Sequence, residues 1–167
     1  LALSAGLAAE DILDFSASIN PLGLPEWFRP VISRAIGSLT HYPDPDCRSL
    51  TGAISARYGV AEEEVIAGNG STELIYLIPR VLSASRAVIP VPAYSDYARA
   101  SELSGLTAEK VLMKEENGFK PDLSAIESRL TGNDLVFIGQ PNNPTGFLVN
   151  ADELRNVALK NGSTTFV

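Results

Sequence analysis

The heptapeptide Gln140-Pro141-Asn142-Asn143-Pro144-Thr145-Gly146 decides the fold. It follows the apolar run Leu135-Val136-Phe137-Ile138-Gly139, which reads as a buried strand. It precedes Asn150 and Asp152, residues suited to cap a helix, and a helical pattern that continues through Lys160. Two prolines and a glycine define its backbone tightly, and adjacent asparagines favour turn geometry. A loop at the carboxyl end of a strand is where an open α/β sheet usually places its ligand. Taken by itself the heptapeptide is either a decorated turn or a ligand-holding loop, because turn chemistry selects the same residues.

Outward from it, strands and helices alternate. Upstream, Pro121 is expected to start a helix to Leu130 with Asp122 in its first turn. Residues 107–113 read as a strand, with Lys110 and the polar tail 114–120 marking a sheet edge or an exposed loop. Ala87-Val88-Ile89 reads as a strand, and Pro90-Val91-Pro92-Ala93-Tyr94-Ser95-Asp96-Tyr97 leads into a helix ending near Gly105. Val65-Ile66-Ala67 is expected to be a short strand running into Gly68-Asn69-Gly70-Ser71-Thr72-Glu73. That hexapeptide opens a helix carrying Leu74, Ile75, Leu77, Ile78, Val81 and Leu82, with Pro79 as a kink. Downstream, Gly162 precedes a last strand over residues 163–167. Strands separated by helices of about ten residues predict a three-layer α/β/α arrangement with a mostly parallel sheet.

A strand, a glycine turn and Ser/Thr at a helix start form a geometry suited to an anion. Unpaired N–H groups and the positive end of the helix dipole converge there, and glycine lets a phosphate approach the backbone. The other reading is a plain N-cap in which Ser71 or Thr72 satisfies the helix end and Glu73 assists.

Residues 1–14 read as a short helix or a loose arm, and residues 14–25 as an extended, proline-broken segment. A helix is expected to start near Pro30, with Val31, Ile32, Ala35, Ile36 and Leu39 on one face. His41-Tyr42-Pro43-Asp44-Pro45-Asp46 reads as a rigid loop, with Asp46 capping a helix that runs to Tyr58 and Gly59 as its left-handed C-cap.

Composition narrows the function. The 167 residues suit one domain with an N-terminal extension, and 45% hydrophobic with 20% charged residues is globular. A net charge of -7 argues against nucleic acid, since nothing here replaces counterions on a phosphate backbone. One cysteine, Cys47, excludes an internal disulfide framework, and one histidine, His41, leaves a histidine-based metal cluster or catalytic triad short of parts. No stretch approaches the roughly 20 apolar residues that span a bilayer, and the N-terminus lacks the pattern of a signal peptide. These features lead to the expectation of a soluble cytoplasmic protein.

The ordered set Asn20-Pro21, Tyr42-Pro43-Asp44, residues 68–73, Pro92-Ala93-Tyr94-Ser95-Asp96-Tyr97 and Pro141-Asn142-Asn143-Pro144-Thr145-Gly146 resembles the class I/II aminotransferases. These are pyridoxal 5'-phosphate (PLP) enzymes of fold type I. Within the family the chain is similar to the histidinol-phosphate aminotransferase group. The segment from Asp14 to Gly23 resembles its threonine-phosphate decarboxylase branch, which serves cobalamin synthesis.

The resemblance implies roles. Gly70, Ser71 and Thr72 would hold the cofactor phosphate through their amides. Tyr94 would stack on the pyridine, where the residues alone also allow a core tyrosine. Asn143 would donate to the 3'-oxygen of the ring. Tyr42 would reach the phosphate from the other subunit of a homodimer, Asn20 would line the substrate pocket, and His41 would touch a substrate phosphate or simply be a surface histidine. The substrate would be an L-amino acid, phosphorylated in these branches. Residues 1–40 would be an N-terminal arm and small-domain segment, and 41–167 the first part of the PLP-binding large domain.

None of Lys110, Lys114, Lys120 and Lys160 stands in the family's context for the Schiff-base lysine. That lysine, the aspartate that pairs with the pyridinium and the arginine that binds the substrate carboxylate are expected beyond Val167. The chain therefore reads as the N-terminal half of such an enzyme, inactive by itself. The rival reading is a non-catalytic α/β module that binds a phosphate compound or serves as a subunit interface.

Overall fold

The computed structural model describes residues 2–8, 11–13 and 19–167. The chain forms two compact units, Leu1–Val65 and Ile66–Val167. The expected extended segment at residues 14–25 lies partly outside the described residues, which leave out 14–18.

The first unit carries α1 (Ala2–Ala5), α2 (Phe28–Ala35) and α3 (Arg48–Tyr58). Helix α2 starts two residues before the expected position and continues as a 3-10 turn, Ile36–Ser38. Pro30 is tolerated because it lies in the first turn, where an N–H has no helical partner to lose. Gly59 closes α3 in the left-handed region (φ 69°), its N–H donating to Ser55 O, as expected.

The expected cap of α3 is corrected: Asp44, not Asp46, holds the helix start. Asp44 accepts from the Asp46 amide at 3.1 Å and from the Arg48 amide at 3.1 Å. Cys47, in the left-handed region at φ 49°, turns the chain so that one carboxylate spans both amides. Those two bonds, first to Asp46 and then to Arg48, hold the Asp44 carboxyl below its ordinary value of 3.8. A lowered folded-state value means that this stabilisation is present above pH 3.8 and is lost as pH falls through the lower value. The Asp46 and Arg48 amide resonances should therefore move together in an acid titration by NMR, and Asp44→Asn should abolish that shared step.

The second unit holds α4 (Ser71–Val81), β1 (Arg86–Val91), α5 (Ser95–Leu103), β2 (Thr107–Leu112), α6 (Leu123–Glu127), β3 (Asp134–Val136), α7 (Ala151–Lys160) and β4 (Thr165–Phe166). The strands form one sheet in the order β2-β1-β3-β4, parallel throughout. Successive strand residues point to opposite faces, and β1 is apolar on both, as a covered parallel strand requires. Ala87 and Ile89 pack with Leu135 and Phe137 against Ile75 and Ile78 of α4 and Tyr97 and Ala98 of α5. Val88 and Val136 pack with Val111 and Ile126 on the other face, and α7 lies against α6. The three expected layers are present.

Boundaries differ where local pattern and tertiary pairing diverge. Helix α6 is shorter than expected at both ends: the Asp122 side chain, not Pro121, sets its start by accepting from the Ala125 amide at 3.0 Å, and beyond Glu127 the chain continues in turns, Arg129 N donating to Ile126 O at 3.0 Å and Leu130 N to Glu127 O at 3.1 Å. Strand β3 is short, although the Phe137 and Ile138 amides still donate across the sheet to Val88 O and Val167 O. The expected strand Val65-Ile66-Ala67 does not form. Val65 is extended (φ −112°, ψ 123°), but Ile66 is 74% exposed and the segment has no ladder partner among the described residues. Strand β2 lies at one edge with Lys110 exposed, as its sequence suggests.

At the amino ends of the strands, Arg86 of β1 reaches Asp134 of β3 (Nε to Oδ1, 2.5 Å), Glu109 of β2 and the carbonyl of Arg129. Arg129 donates to the other Glu109 oxygen at 2.9 Å, and the Thr131 amide donates to Asp134 Oδ2 at 2.7 Å. One guanidinium thus ties three adjacent strands at the end opposite to the loops described next.

Candidate active site

From β1 the chain crosses to β2 on one side and then returns to β3 on the other. The carboxyl ends of β1 and β3 therefore flank the topological switch of the sheet, the crevice where such folds place ligands. Strand β1 is followed by Pro92-Ala93-Tyr94 and β3 by the loop that contains Asn143. Both sequence-derived candidates thus stand at one end of the sheet.

Tyr94 is half-buried at the N-cap position of α5 and packs edge-to-face on Tyr97, with ring centroids 5.8 Å apart. Tyr97 in turn stacks on Phe137, centroids 4.8 Å apart and planes 10° from parallel. Phe137 is 1% exposed, so the aromatic column stands on the core itself. Burial first, and then the neighbouring Tyr94, push the Tyr97 phenol above its ordinary 10.0. Tyr97 is therefore a neutral hydroxyl at any working pH.

The Asn143 loop is fastened at three places. Gln140 clips its two ends together, its amide donating to Val149 O at 2.7 Å while its carbonyl accepts from Val149 N at 2.9 Å. Inside the loop the Gly146 amide donates to Asn142 O at 2.7 Å and the Asn142 amide to Phe147 O at 2.9 Å. The Asn142 side chain donates to Thr145 Oγ1 at 2.8 Å and, across to the other loop, to Pro92 O at 3.0 Å. Asn143 itself is exposed, with its side chain outside these bonds. The peptide bonds Gln140-Pro141 and Asn143-Pro144 are cis. Gln140→Leu should cost about 1 kcal/mol in urea unfolding, the net worth of such a clip, and speed hydrogen exchange at the Val149 amide.

The start of α4 completes this end of the unit. Gly70 is the N-cap, at φ 81° and ψ 164°, and no side chain caps the helix. The plain N-cap by Ser71 or Thr72 is thereby excluded, whereas Glu73 assists by accepting from the Asn69 amide. Gly70 N–H donates to Gly68 O at 2.9 Å, so Ser71 and Thr72, both exposed, present the first amides that leave the helix end. Helix α4 packs against α5 and runs within four residues into the amino end of β1, which puts its own start at the carboxyl end of the sheet. Lost solvation and then the Asp96 carboxylate push the Tyr76 phenol above 10.0.

The other candidates belong to the first unit. Asn20 Oδ1 accepts from the Leu22 amide at 3.0 Å, and the Gly23 amide closes the turn on Asn20 O at 3.0 Å. Tyr42 is 100% exposed and His41 is exposed. Among the described residues no group of His, Cys, Asp and Glu could hold a metal ion, and no helix is long and apolar enough to cross a membrane.

Sequence reasoning missed Gln140, Asn142 and Tyr97. Gln140 carries no local signal. Asn142 stands beside Asn143 inside the same motif, and its burial (6% exposed) and its side-chain bonds separate the two.

A family model described as aminotransferase class I and II matches residues 10–167. The bifunctional adenosylcobalamin biosynthesis protein CobDQ of Leptospira interrogans is 41% identical over 100% of this chain and 20% of its own length. Threonine-phosphate decarboxylase of Salmonella typhimurium is 33% identical over 92% of this chain and 42% of its own length. Among solved structures, histidinol-phosphate aminotransferase of Clostridium acetobutylicum superposes with a TM-score of 0.81 at 31% identity, covering 93% of this chain and 46% of that one. The chain thus spans less than half the length of these relatives.

Proposed function

We propose that this chain, which belongs to the aminotransferase class I and II family, builds the cofactor-holding part of a PLP enzyme that acts on a phosphorylated L-amino acid. The observation that carries the reading is the bond from Asn142 Nδ2 to Pro92 O, which fastens the Tyr94 and Asn143 loops together at the switch point of the sheet. The residues there suit the group: an uncapped helix start for a dianionic phosphate, an aromatic ring for a planar heterocycle, and an exposed amide for a phenolic oxygen.

When bound, PLP supplies an electron sink for the electron pair left as a bond to the substrate α-carbon breaks. The amides of Ser71 and Thr72, with the backbone at Gly70, hold the phosphate. Tyr94 fixes the plane of the ring, and Asn143 donates to its 3'-oxygen. Tyr42 of the partner subunit reaches the phosphate in a homodimer, a role supported by its full exposure. Asn20 lines the substrate pocket in the whole protein. In the whole protein residues 1–40 form an arm and part of a small domain, and 41–167 the first part of the large domain. The lysine that anchors the cofactor, the aspartate at the pyridinium nitrogen and the arginine for the substrate carboxylate come from outside this chain. The enzyme works in the cytoplasm, without nucleic acid or membrane.

The phosphorylated substrate is supported by relatives named for threonine phosphate and histidinol phosphate. The whole protein should be yellow after incubation with PLP, and borohydride should bleach it. A colourless protein would favour the non-catalytic module. Threonine phosphate alone, against histidinol phosphate with 2-oxoglutarate, then separates carbon dioxide release from amino transfer.

A further inference from the structure

Asn143 is exposed and makes none of the loop's fastening bonds, so something else sets where it points. The neighbouring Asn142 has the opposite character. It is 6% exposed and spends its two amide hydrogens on one bond within its own loop, to Thr145 Oγ1, and one to the Tyr94-bearing loop, at Pro92 O. Its main chain adds the bonds to Gly146 and Phe147 that shape the turn around Asn143. Its other side is closed by Gly139. A Cβ there would stand 3.2 Å from Asn142 Cα and Oδ1 and 3.3 Å from the Tyr97 hydroxyl, so any larger residue would press Asn142 away by a few tenths of an ångström. Asn142 is thus held between Gly139, Thr145 and Pro92, and Tyr94 follows Pro92 by two residues.

We propose that Asn142 is a positioning residue that sets the separation between the Tyr94 ring and the Asn143 amide, and through them the seating of the cofactor ring. The proposal rests on the PLP reading above. A buried amide suits the task because it fixes direction as well as distance. Leucine fills similar space but bonds neither loop, and aspartate turns an acceptor toward the Pro92 carbonyl in place of a donor.

The test is a double-mutant cycle on PLP affinity in the whole protein, comparing wild type, Asn142→Leu, Asn143→Ala and the double variant. Asn142→Leu is expected to weaken PLP about tenfold, which is the order of one lost buried hydrogen bond, and the double variant to bind no worse than the weaker single. The visible absorbance of the bound cofactor should shift the same way in both single variants, which a general loss of stability would not produce. Without cofactor, Asn142→Leu should speed hydrogen exchange at the Gly146 amide. Asn142→Asp and Gly139→Ala, which displaces the same amide from its other side, give the same readouts if Asn142→Leu does not fold. PLP affinity unchanged in Asn142→Leu, or penalties that multiply in the double variant, would overturn the positioning role alone. A wild-type protein that takes up no PLP would overturn the underlying reading instead.

Discussion

Replacing Arg86 by alanine should lower the unfolding free energy by about 3–5 kcal/mol, the usual loss when one partner of a buried ion pair is removed. The magnitude follows from what remains behind. The Asp134 side chain has no exposed surface, whereas that of Arg86 is 21% exposed, so truncation strands a carboxylate that water cannot reach. Glu109 and the Arg129 carbonyl lose a donor in the same step. Thr131 keeps its amide bond to Asp134, but a neutral donor does not balance the charge. The pair as a whole is worth much less than its breakage costs, because both charges are desolvated on folding. Arg86→Leu combined with Asp134→Leu should therefore recover much of what Arg86→Leu loses alone. Urea unfolding followed by circular dichroism measures both. A loss below about 1 kcal/mol in Arg86→Ala would mean that the network behaves as a surface pair does.

That network was invisible in the sequence for the same reason that the Asn142 latch was. Arg86 and Asp134 lie 48 positions apart, and Asn142 and Pro92 lie 50 apart; neither pair leaves a periodic trace. What local pattern does encode came through. The apolar runs of β1 and β3 declared a doubly covered parallel sheet, and Asn150 caps α7 by accepting from the Asp152 and Glu153 amides. Caps failed where two similar residues competed. Asp44 and Asp46 are both suited to a helix start, and the left-handed turn at Cys47 chose between them. The run Val65-Ile66-Ala67 has strand composition, yet a strand is defined by its neighbour, and composition carries no information about one. The candidate residues divide in the same way. Tyr94 and Asn143 stand out in the sequence as members of an ordered motif set, while Asn142, which joins their loops, becomes visible only through its burial and its bonds.

Ser71→Asp should move two observables in opposite directions. The new carboxylate would stand in the first turn of α4, where no side chain caps the helix. A negative charge at that end interacts favourably with the helix dipole, so the protein without cofactor should gain about 0.3–1 kcal/mol of stability. The same charge would oppose a phosphate bound to the Ser71 and Thr72 amides. Like charges about 4 Å apart near a protein surface repel by about 4 kcal/mol, which corresponds to on the order of a thousandfold loss in PLP affinity. A lesion that merely disturbs folding would lower both stability and affinity, and a helix start with no ligand would gain stability while leaving affinity alone. Thermal unfolding without cofactor, paired with a PLP titration, separates these cases. Affinity that survives Ser71→Asp would remove the start of α4 from the phosphate site, whatever the Tyr94 and Asn143 loops do. Because exposed Ser71 takes no part in capping the helix, the substitution tests the anion and not the fold.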